Sequence, residues 1–339
     1  MSGKKVGGIE WAPLNIPLQR RLQTLAAFMA VMTFFFGGVS GLFFLAYLLH
    51  TKYYWITFLY AVWLLYDYET CSRGGRRFEW VRRWKLHTYL RDFFPISLVK
   101  TAELDPGQNY IVGYHPHGVM GAGTTNFTNE ANNVSHVFPG VKFTVLTLKL
   151  LHFLPFYREF ISACGLCDVS KESINYIFRK KGNAIVILIG GAKESMDANP
   201  RKTTLVLKGR KGFAKMALKH GAHLVPAFSF GENDIFRLLV KNDPGSRVRK
   251  LQRYVQKVAG YAPIMVSGRG IFNYTFGFVP YRHPITTVVG KPIVVEKDED
   301  PSLEKITALH ETYMAELEKL FNTHKDKYGY GDQSLEFIE

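Results

Sequence analysis

The chain has 339 residues, of which 47% are hydrophobic, and a formal net charge of +15. This length and this apolar content are sufficient for one large domain or two ordinary ones. Three cysteines in a chain of this size exclude a disulfide framework, and they favour a reducing compartment for the part of the chain that contains them.

The positive charge is concentrated near the N-terminus. The first 100 residues contain 13 Lys and Arg against 5 Asp and Glu, and all five tryptophans lie between Trp11 and Trp84. A basic chain raises the question of nucleic acid as a partner. Here the basic residues flank a long uncharged stretch and alternate with tryptophan, a pattern typical of a membrane surface. We therefore expect a membrane as partner, and no nucleic acid.

Residues 25–66 form an apolar region in which Lys52 carries the only full charge. As a helix, Leu25–His50 would extend about 39 Å, which exceeds the roughly 30 Å hydrocarbon layer, whereas Tyr53–Tyr66 would reach about 21 Å. Two arrangements fit these lengths: a hairpin of two helices, or one membrane span followed by a re-entrant segment. The run is too long for a cleaved signal peptide, so we expect it to remain in the mature protein.

Arginines lie on both outer flanks of this region, at Arg20, Arg21, Arg73, Arg76 and Arg77. The positive-inside rule then places the short polar arm 1–24 and the remainder 67–339 in the cytosol. The basic and aromatic segment 73–94 that follows predicts a helix lying on the bilayer surface.

After residue 94, short apolar runs alternate with helical patterns. This alternation predicts one α/β domain over 67–339, with a mostly parallel or mixed sheet flanked by helices. The predicted strands are Tyr110–Tyr114, Lys142–Leu148, Ala184–Ile189, Leu224–Phe228, Ile264–Val266, Thr286–Val289 and Ile293–Val295. The predicted helices are one capped by Ser170, one over Gly212–His220 ended by Gly221, and one started by Pro301 with an apolar stripe through Tyr313 and Leu317.

The candidate active site is the segment His115-Pro116-His117-Gly118, directly after the predicted strand Tyr110–Tyr114. Residues two apart in an extended chain point to the same side, so both imidazoles are expected to face one cavity. Pro116 restricts the backbone between them, and Gly118 permits a tight turn or a close approach of ligand.

A carboxylate follows a second predicted strand. Ala184–Ile189 leads into Gly190-Gly191 and then Glu194. Ligands in open α/β sheets collect beyond the carboxyl ends of strands, where Glu194 and the histidines would both lie. Glu194 is therefore predicted to orient one imidazole, with an ordinary surface glutamate as the equally compatible alternative.

Further polar residues could complete the site. Arg210, Lys211 and Gly212 stand at a predicted helix start, which suits an anionic group such as a phosphate, although a solvated helix end has the same sequence signature. Asn126 and Glu130 could line the same cleft as the histidines. Cys164 and Cys167 have half of a zinc-site spacing without a second pair, so we expect buried cysteines and no metal.

These groups favour acyl transfer to an alcohol. A histidine base can take the hydroxyl proton while the oxygen attacks an activated acyl group. The chain has no Gly-x-Ser-x-Gly segment before the histidines, which disfavours a serine hydrolase. Direct transfer fits better.

The chain resembles the type-2 diacylglycerol acyltransferase family, which includes monoacylglycerol acyltransferases and wax synthases. The resemblance extends over nearly the whole chain and implies acyl-CoA-dependent acylation of an acylglycerol hydroxyl, with acyl-CoA as co-substrate and no bound cofactor. It also implies a hairpin-anchored enzyme of the endoplasmic reticulum or lipid droplet. The matching segments include His115–Gly118, Asn126-Phe127 with Glu130, Tyr157-Arg158-Glu159, Gly190–Ala192 with Glu194, Arg210–Phe213, Phe230–Asn233 and Gly268-Arg269-Gly270. They add Arg158 and Arg269 as substrate-binding candidates.

The segments Arg20–Thr24 and Val99–Asp105 look most like the monoacylglycerol branch, which makes 2-monoacylglycerol the expected acceptor. Diacylglycerol, long-chain alcohols or retinol are alternative acceptors, and a lipid-binding protein without catalysis is the alternative from another class. The sequence leaves open a homo-oligomer and which histidine is the base.

Related glycerophospholipid acyltransferases place Asp five residues after the catalytic His, but here Met120 and Ala122 occupy those positions. Glu194 is the expected substitute, with Glu130 in reserve.

Overall fold

The N-terminal part of the chain is helical and strongly apolar. The computed structural model describes residues 5–240, 245–261 and 263–339. One continuous helix over Leu18–Leu49 consists of α1 (Leu18–Met32), a π-helical turn (Thr33–Gly37) and α2 (Gly38–Leu49). Within the described residues it is the one helix long and apolar enough to cross a membrane, judged by length and composition. After a short turn, α3 (Tyr54–Tyr66) packs back against α2.

The long helix also packs on the rest of the protein. Ala27 and Val31 of α1 share a buried cluster with Phe93 and Phe94. A side chain at Gly38 would lie 2.5 Å from Leu154, so the backbone of α2 touches the domain directly there. The apolar helix and the domain therefore share one packed interface.

The remaining elements alternate along the chain. The other helices are α4 (Glu79–Arg82), α5 (Lys85–Phe93), α6 (Thr125–Thr128), α7 (Val134–Val137), α8 (Tyr157–Ala163), α9 (Lys171–Ile177), α10 (Gly191–Ser195), α11 (Gly212–His220), α12 (Arg247–Ala259) and α13 (Leu303–His324). The strands are β1 (Lys5–Val6), β2 (Ile9–Glu10), β3 (Ile96–Lys100), β4 (Tyr110–His115), β5 (Lys142–Thr147), β6 (Cys167–Asp168), β7 (Asn183–Leu188), β8 (Thr204–Val206), β9 (His223–Phe230), β10 (Arg237–Leu238), β11 (Val266–Ser267), β12 (Ile285–Val289) and β13 (Glu336–Ile338).

The central sheet has seven strands in the order β3-β12-β9-β4-β7-β5-β6. From β9 to β6 all neighbours are parallel, whereas β12 is antiparallel to β9 and parallel to β3. Every residue of the central strand β4 is buried, as expected for a parallel strand covered on both faces. The predicted mixed sheet flanked by helices is confirmed.

Local sequence signals explain the main helices. The Ser170 hydroxyl accepts a hydrogen bond from Ser173 N at 3.1 Å and caps α9, while Gly221, with a φ of 60°, ends α11 in the left-handed conformation. These two predicted helices are confirmed. The last helix was predicted to start at Pro301, which is wrong by two residues, because the hydroxyl of Ser302 caps α13.

Segment 73–94 is not the single helix predicted from its composition. It contains two short helices instead: α4 ends with Arg83 as its C-cap, and α5 begins after Trp84, its N-cap. Arg82, one of the basic side chains assigned to the headgroups, is 1% exposed and is paired with Glu130 inside the domain. The predicted strand over Ile293–Val295 is also wrong, since only an isolated bridge from Ile293 to Leu224 forms there.

Candidate active site

Three adjacent parallel strands end at the same edge of the sheet and deliver the site residues. The central strand β4 ends at His115, and His117 and Gly118 follow. Its neighbour β7 is followed by Glu194, and its other neighbour β9 is followed by Glu232. The carboxyl ends of parallel strands are the usual ligand-binding edge of an α/β sheet.

His115 is completely buried. Its Nε2 lies 3.1 Å from the Tyr313 hydroxyl, which donates its proton to the Gly113 carbonyl at 3.1 Å. Because that proton is committed, the hydroxyl accepts from Nε2–H, and Nδ1 is the unprotonated nitrogen. His115 Nδ1 is buried without a hydrogen-bond partner. Burial lowers the pKa of His115 to about 3, so this ring is neutral at physiological pH.

His117 is partly exposed and is oriented through Nδ1. This nitrogen lies 2.7 Å from Ser195 Oγ and 3.1 Å from the Gly118 carbonyl oxygen. A carbonyl can only accept, so the contact favours a proton on Nδ1 and a free lone pair on Nε2. Among the described residues none is hydrogen-bonded to Nε2. Burial lowers the pKa of His117, and the Gly118 carbonyl partly opposes that shift.

Glu194 is buried beside His117 but contacts its main chain. Its Oε1 accepts from His117 N at 2.5 Å, and its Oε2 accepts from Val206 N at 2.9 Å. Burial raises the pKa of Glu194 to about 7, opposed by these two hydrogen bonds and by the charge of Arg210. Glu194 therefore fixes the backbone that carries His117, and no hydrogen bond joins it to either imidazole ring within the described residues.

Glu232 is a site residue that sequence reasoning missed. This buried carboxylate accepts from Tyr114 Oη at 2.8 Å, Ala122 N at 2.7 Å and Gly123 N at 2.8 Å. Burial raises the pKa of Glu232 to about 7. Gly118 has a φ of 61°, and a side chain there would lie 2.7 Å from Glu232 Cγ. The sequence did contain a signal for Glu232, because Gly231-Glu232 follows the predicted strand Leu224–Phe228 just as Glu194 follows Ala184–Ile189.

Two of the predicted substrate-binding residues, Asn126 and Glu130, make structural hydrogen bonds next to the site. Asn126 is fully buried and donates to Ser97 O at 3.2 Å and to Thr287 Oγ1 at 3.0 Å. Glu130 accepts from Arg82 Nη2 at 3.0 Å and from Ser135 Oγ at 2.8 Å. Within the described residues, neither side chain is hydrogen-bonded to the histidines.

Arg158 and Arg269 also have partners elsewhere. Arg158 is buried and donates to Asp67 Oδ2 at 2.6 Å, which ties α8 to the end of α3. Arg269 lies over the Tyr274 ring at 4.5 Å, and burial lowers its pKa. The structure does not bring either residue into contact with the histidine pair.

The predicted anion site lies at the start of α11. Arg210 is exposed, and Gly212 is the first helical residue. Lys211 Nζ donates to Thr307 Oγ1 at 2.9 Å. The effect of Arg210 on the pKa of Glu194 places its charge near the site. The charge of Arg210 thus acts on the carboxylate, whereas Lys211 is hydrogen-bonded to Thr307.

The three cysteines are buried free thiols, as predicted. In the described part of the chain, no group of three or more His, Cys, Asp or Glu side chains is arranged to hold a metal ion.

Comparison with known proteins defines the class: this is an acyltransferase. The family model for diacylglycerol acyltransferases matches residues 46–338. The chain is 46% identical over 324 residues to bovine 2-acylglycerol O-acyltransferase 1, covering 95% of this chain and 96% of the relative. It is 45% identical over 316 residues to human diacylglycerol O-acyltransferase 2, covering 92% and 81%. The chain belongs to the diacylglycerol acyltransferase family.

Among solved structures, a 1-acyl-sn-glycerophosphate acyltransferase from Thermotoga maritima matches over 90% of this chain and 96% of its own, with 11% identity and a TM-score of 0.39. That score is below the level at which a shared fold is inferred.

Proposed function

We propose that the protein transfers an acyl group from acyl-CoA to the hydroxyl of 2-monoacylglycerol and releases diacylglycerol. The observation that carries the mechanism is the partly exposed His117, whose Nε2 lone pair is free and whose main chain is held by the buried Glu194. Diacylglycerol is the second candidate acceptor, because relatives named for the two activities match at 46% and 45% identity.

His117 is the general base in this proposal. Its Nε2 takes the proton of the acceptor hydroxyl while that oxygen attacks the thioester carbonyl. The carbon–sulfur bond then breaks, and the departing CoA thiolate recovers the proton from His117. An ester and free CoA result, so no metal or bound cofactor is required.

His115 serves a positioning role. It is fully buried, and its Nδ1 carries no proton to offer an oxyanion. Its hydrogen bond to Tyr313 instead ties the histidine segment to α13. Glu194 restrains the same segment from the other side through His117 N.

Acyl-CoA is placed with its phosphates at the start of α11. Arg210 and Lys211 supply charge there, and the first amides of a nine-residue helix supply donors. This places the anionic end of the co-substrate near Glu194.

Membrane anchoring by a helical hairpin over 25–66 is also part of the proposal. The Thr57 hydroxyl donates to Leu45 O at 2.9 Å, so α3 returns along α2. The arm 1–24 and the domain 67–339 would then both lie on the cytosolic side, as expected for an enzyme of the endoplasmic reticulum or the lipid droplet. The proposal does not depend on oligomeric state.

The test compares His117→Ala and His115→Ala in microsomes, with labelled oleoyl-CoA and competing acceptors. We expect His117→Ala to lose about 10²- to 10⁴-fold in kcat, the usual contribution of a general base. Acyl-CoA consumption unchanged in His117→Ala would contradict the base assignment. Preference for diacylglycerol in the competition would replace the proposed acceptor and leave the mechanism intact.

A further inference from the structure

The helix α12 has an unusual charge pattern. Its sequence, Arg-Val-Arg-Lys-Leu-Gln-Arg-Tyr-Val-Gln-Lys-Val-Ala, contains five cations and no carboxylate. Its apolar residues recur at helical spacing, so one side of the helix is apolar and the other is basic. Such a helix is typical of segments that lie on an anionic lipid surface.

Two polar side chains of α12 face the protein, whereas four of its five cations, Arg247, Lys250, Arg253 and Lys257, are exposed. Arg249 is buried, and its Nη2 donates to Asp197 Oδ2 at 2.6 Å. Gln252 is also buried and donates to Pro263 O at 2.9 Å. The helix is therefore seated on the domain through polar side chains, the reverse of α13, whose apolar stripe is buried.

The apolar side of α12 consequently faces outward. Leu251 is 62% exposed, Tyr254 is 67% exposed and Val258 is 70% exposed. Their spacing of three and four residues places them on one stripe. An exposed apolar stripe on a helix whose buried contacts are made by the polar side chains Arg249 and Gln252 indicates an apolar surrounding.

The chain after α12 leads to a hairpin that contacts the apolar N-terminal helix. Beyond β11, Arg269 and Val279 pair across a hairpin whose tip carries exposed Phe272 and Phe276. The Phe278 ring lies 6.2 Å from the Phe36 ring, in the middle of the Leu18–Leu49 helix. The hairpin is therefore beside the segment proposed to be in the membrane.

We propose that the outward stripe of α12 lies in the cytosolic interface of a bilayer that contains acidic lipids. The stripe enters the boundary of the acyl chains, and Arg247, Lys250 and Lys257 at its margin meet the phosphates. The inference rests on the proposed membrane anchoring. Asp197, which binds Arg249 of α12, also donates from its main-chain N to Glu194 O at 2.9 Å. The helix is therefore linked to the segment that carries the site carboxylate.

The test uses the full chain in lipid nanodiscs, with single cysteines introduced as Leu251→Cys and Val258→Cys and labelled with a fluorophore. The three native cysteines are buried, so labelling reports the new position. Nitroxide on the lipid chains is expected to quench both probes several-fold more than iodide in the water does. Arg253→Cys, exposed on the basic side, is the matched control and should show the opposite preference. Replacing zwitterionic lipid with phosphatidylserine-containing lipid should increase the lipid quenching.

Quenching by iodide alone at Leu251 and Val258 would overturn the proposal. If the probes are protected from iodide, but this protection disappears when the protein is diluted among excess nanodiscs, the stripe contacts a second copy of the chain. That result would also overturn the proposal. Incorporation of the protein into discs and acyl transfer are measured on the same samples. A protein that enters the discs and transfers acyl groups but shows quenching by iodide alone would contradict only the placement of α12. Failure to enter the discs would contradict the proposed membrane anchoring.

Discussion

The two histidines of the motif differ in their surroundings despite being two residues apart. His115 is enclosed and held by Tyr313, whereas His117 is partly exposed and has Nε2 free. The sequence predicted both rings in one cavity, and it left open which was the base. The tautomer of His115 follows from its contact with Tyr313, which spacing within the motif could not indicate, whereas that of His117 follows from the adjacent Gly118 carbonyl.

The lowered pKa of His117 predicts how activity depends on pH. A general base acts in its neutral form, and a pKa below the ordinary 6.5 keeps that form dominant at neutral pH. We expect kcat/KM to be level above about pH 6.5 and to fall only at lower pH. Steady-state rates with 2-monoacylglycerol measure this.

Glu194, with a pKa of about 7, could produce a second transition. Glu194→Gln keeps an oxygen for His117 N and does not titrate, so it serves as the control. A fall in kcat/KM that begins above pH 6.5 in this variant would contradict the assignment to His117.

Removing the Tyr313 hydroxyl should affect catalysis through His115. Tyr313→Phe leaves His115 Nε2–H without its acceptor inside the domain, and an unsatisfied buried group lowers stability by about 1–3 kcal/mol. We expect a lower kcat with little change in the KM for acyl-CoA, together with a lower Tm. Tyr328→Phe is the control, because that hydroxyl has no hydrogen bond within the described residues. Equal kcat values for Tyr313→Phe and the wild type would show that His115 needs no such restraint.

At the scale of elements, a buried ion pair joins α4 to the loop after α6. Arg82 and Glu130 contact at 3.0 Å with side-chain exposures of 1% and 6%. Glu130→Ala would leave Arg82 without its buried carboxylate, a change that lowers stability by about 3–5 kcal/mol. Glu79→Ala is the matched control, since this exposed partner of Arg82 contributes at most about 1 kcal/mol. Denaturant unfolding measures both.

The same variant distinguishes the two roles considered for Glu130. The sequence placed it in the substrate cleft, whereas the structure pairs it with Arg82. A raised KM for acyl-CoA at unchanged stability would restore the substrate-binding role.

Elements with strong local signals were predicted well. The strand β4 and the helices α9 and α11 have clear apolar runs, a serine cap or a terminal glycine. The interruption between α4 and α5 was missed, because composition counts basic and aromatic residues without showing that Arg82 points inward. The strand β3 was missed as well, because its edge position depends on pairing with β12, nearly 190 residues away.

At the scale of the whole molecule, the proposed hairpin makes a prediction about Lys52, in the turn between α2 and α3. If both helices cross the bilayer, a cysteine introduced as Lys52→Cys faces the lumen. A membrane-impermeant maleimide should then label it in microsomes only after the membrane is opened. Glu336→Cys, exposed on the domain, should be labelled without opening and is the control. Labelling of residue 52 in sealed vesicles would contradict the crossing.

The contact of the long helix with the domain limits how the enzyme can move. Ala27 and Val31 share a core with the domain, and α2 approaches Leu154 so closely that only glycine fits at residue 38. The long helix and the domain therefore form one packed body. In the proposed membrane-anchored enzyme, this shared core would fix the depth of the histidine pair relative to the lipid, so that an acceptor glyceride entering sideways from the leaflet would reach it at a constant height.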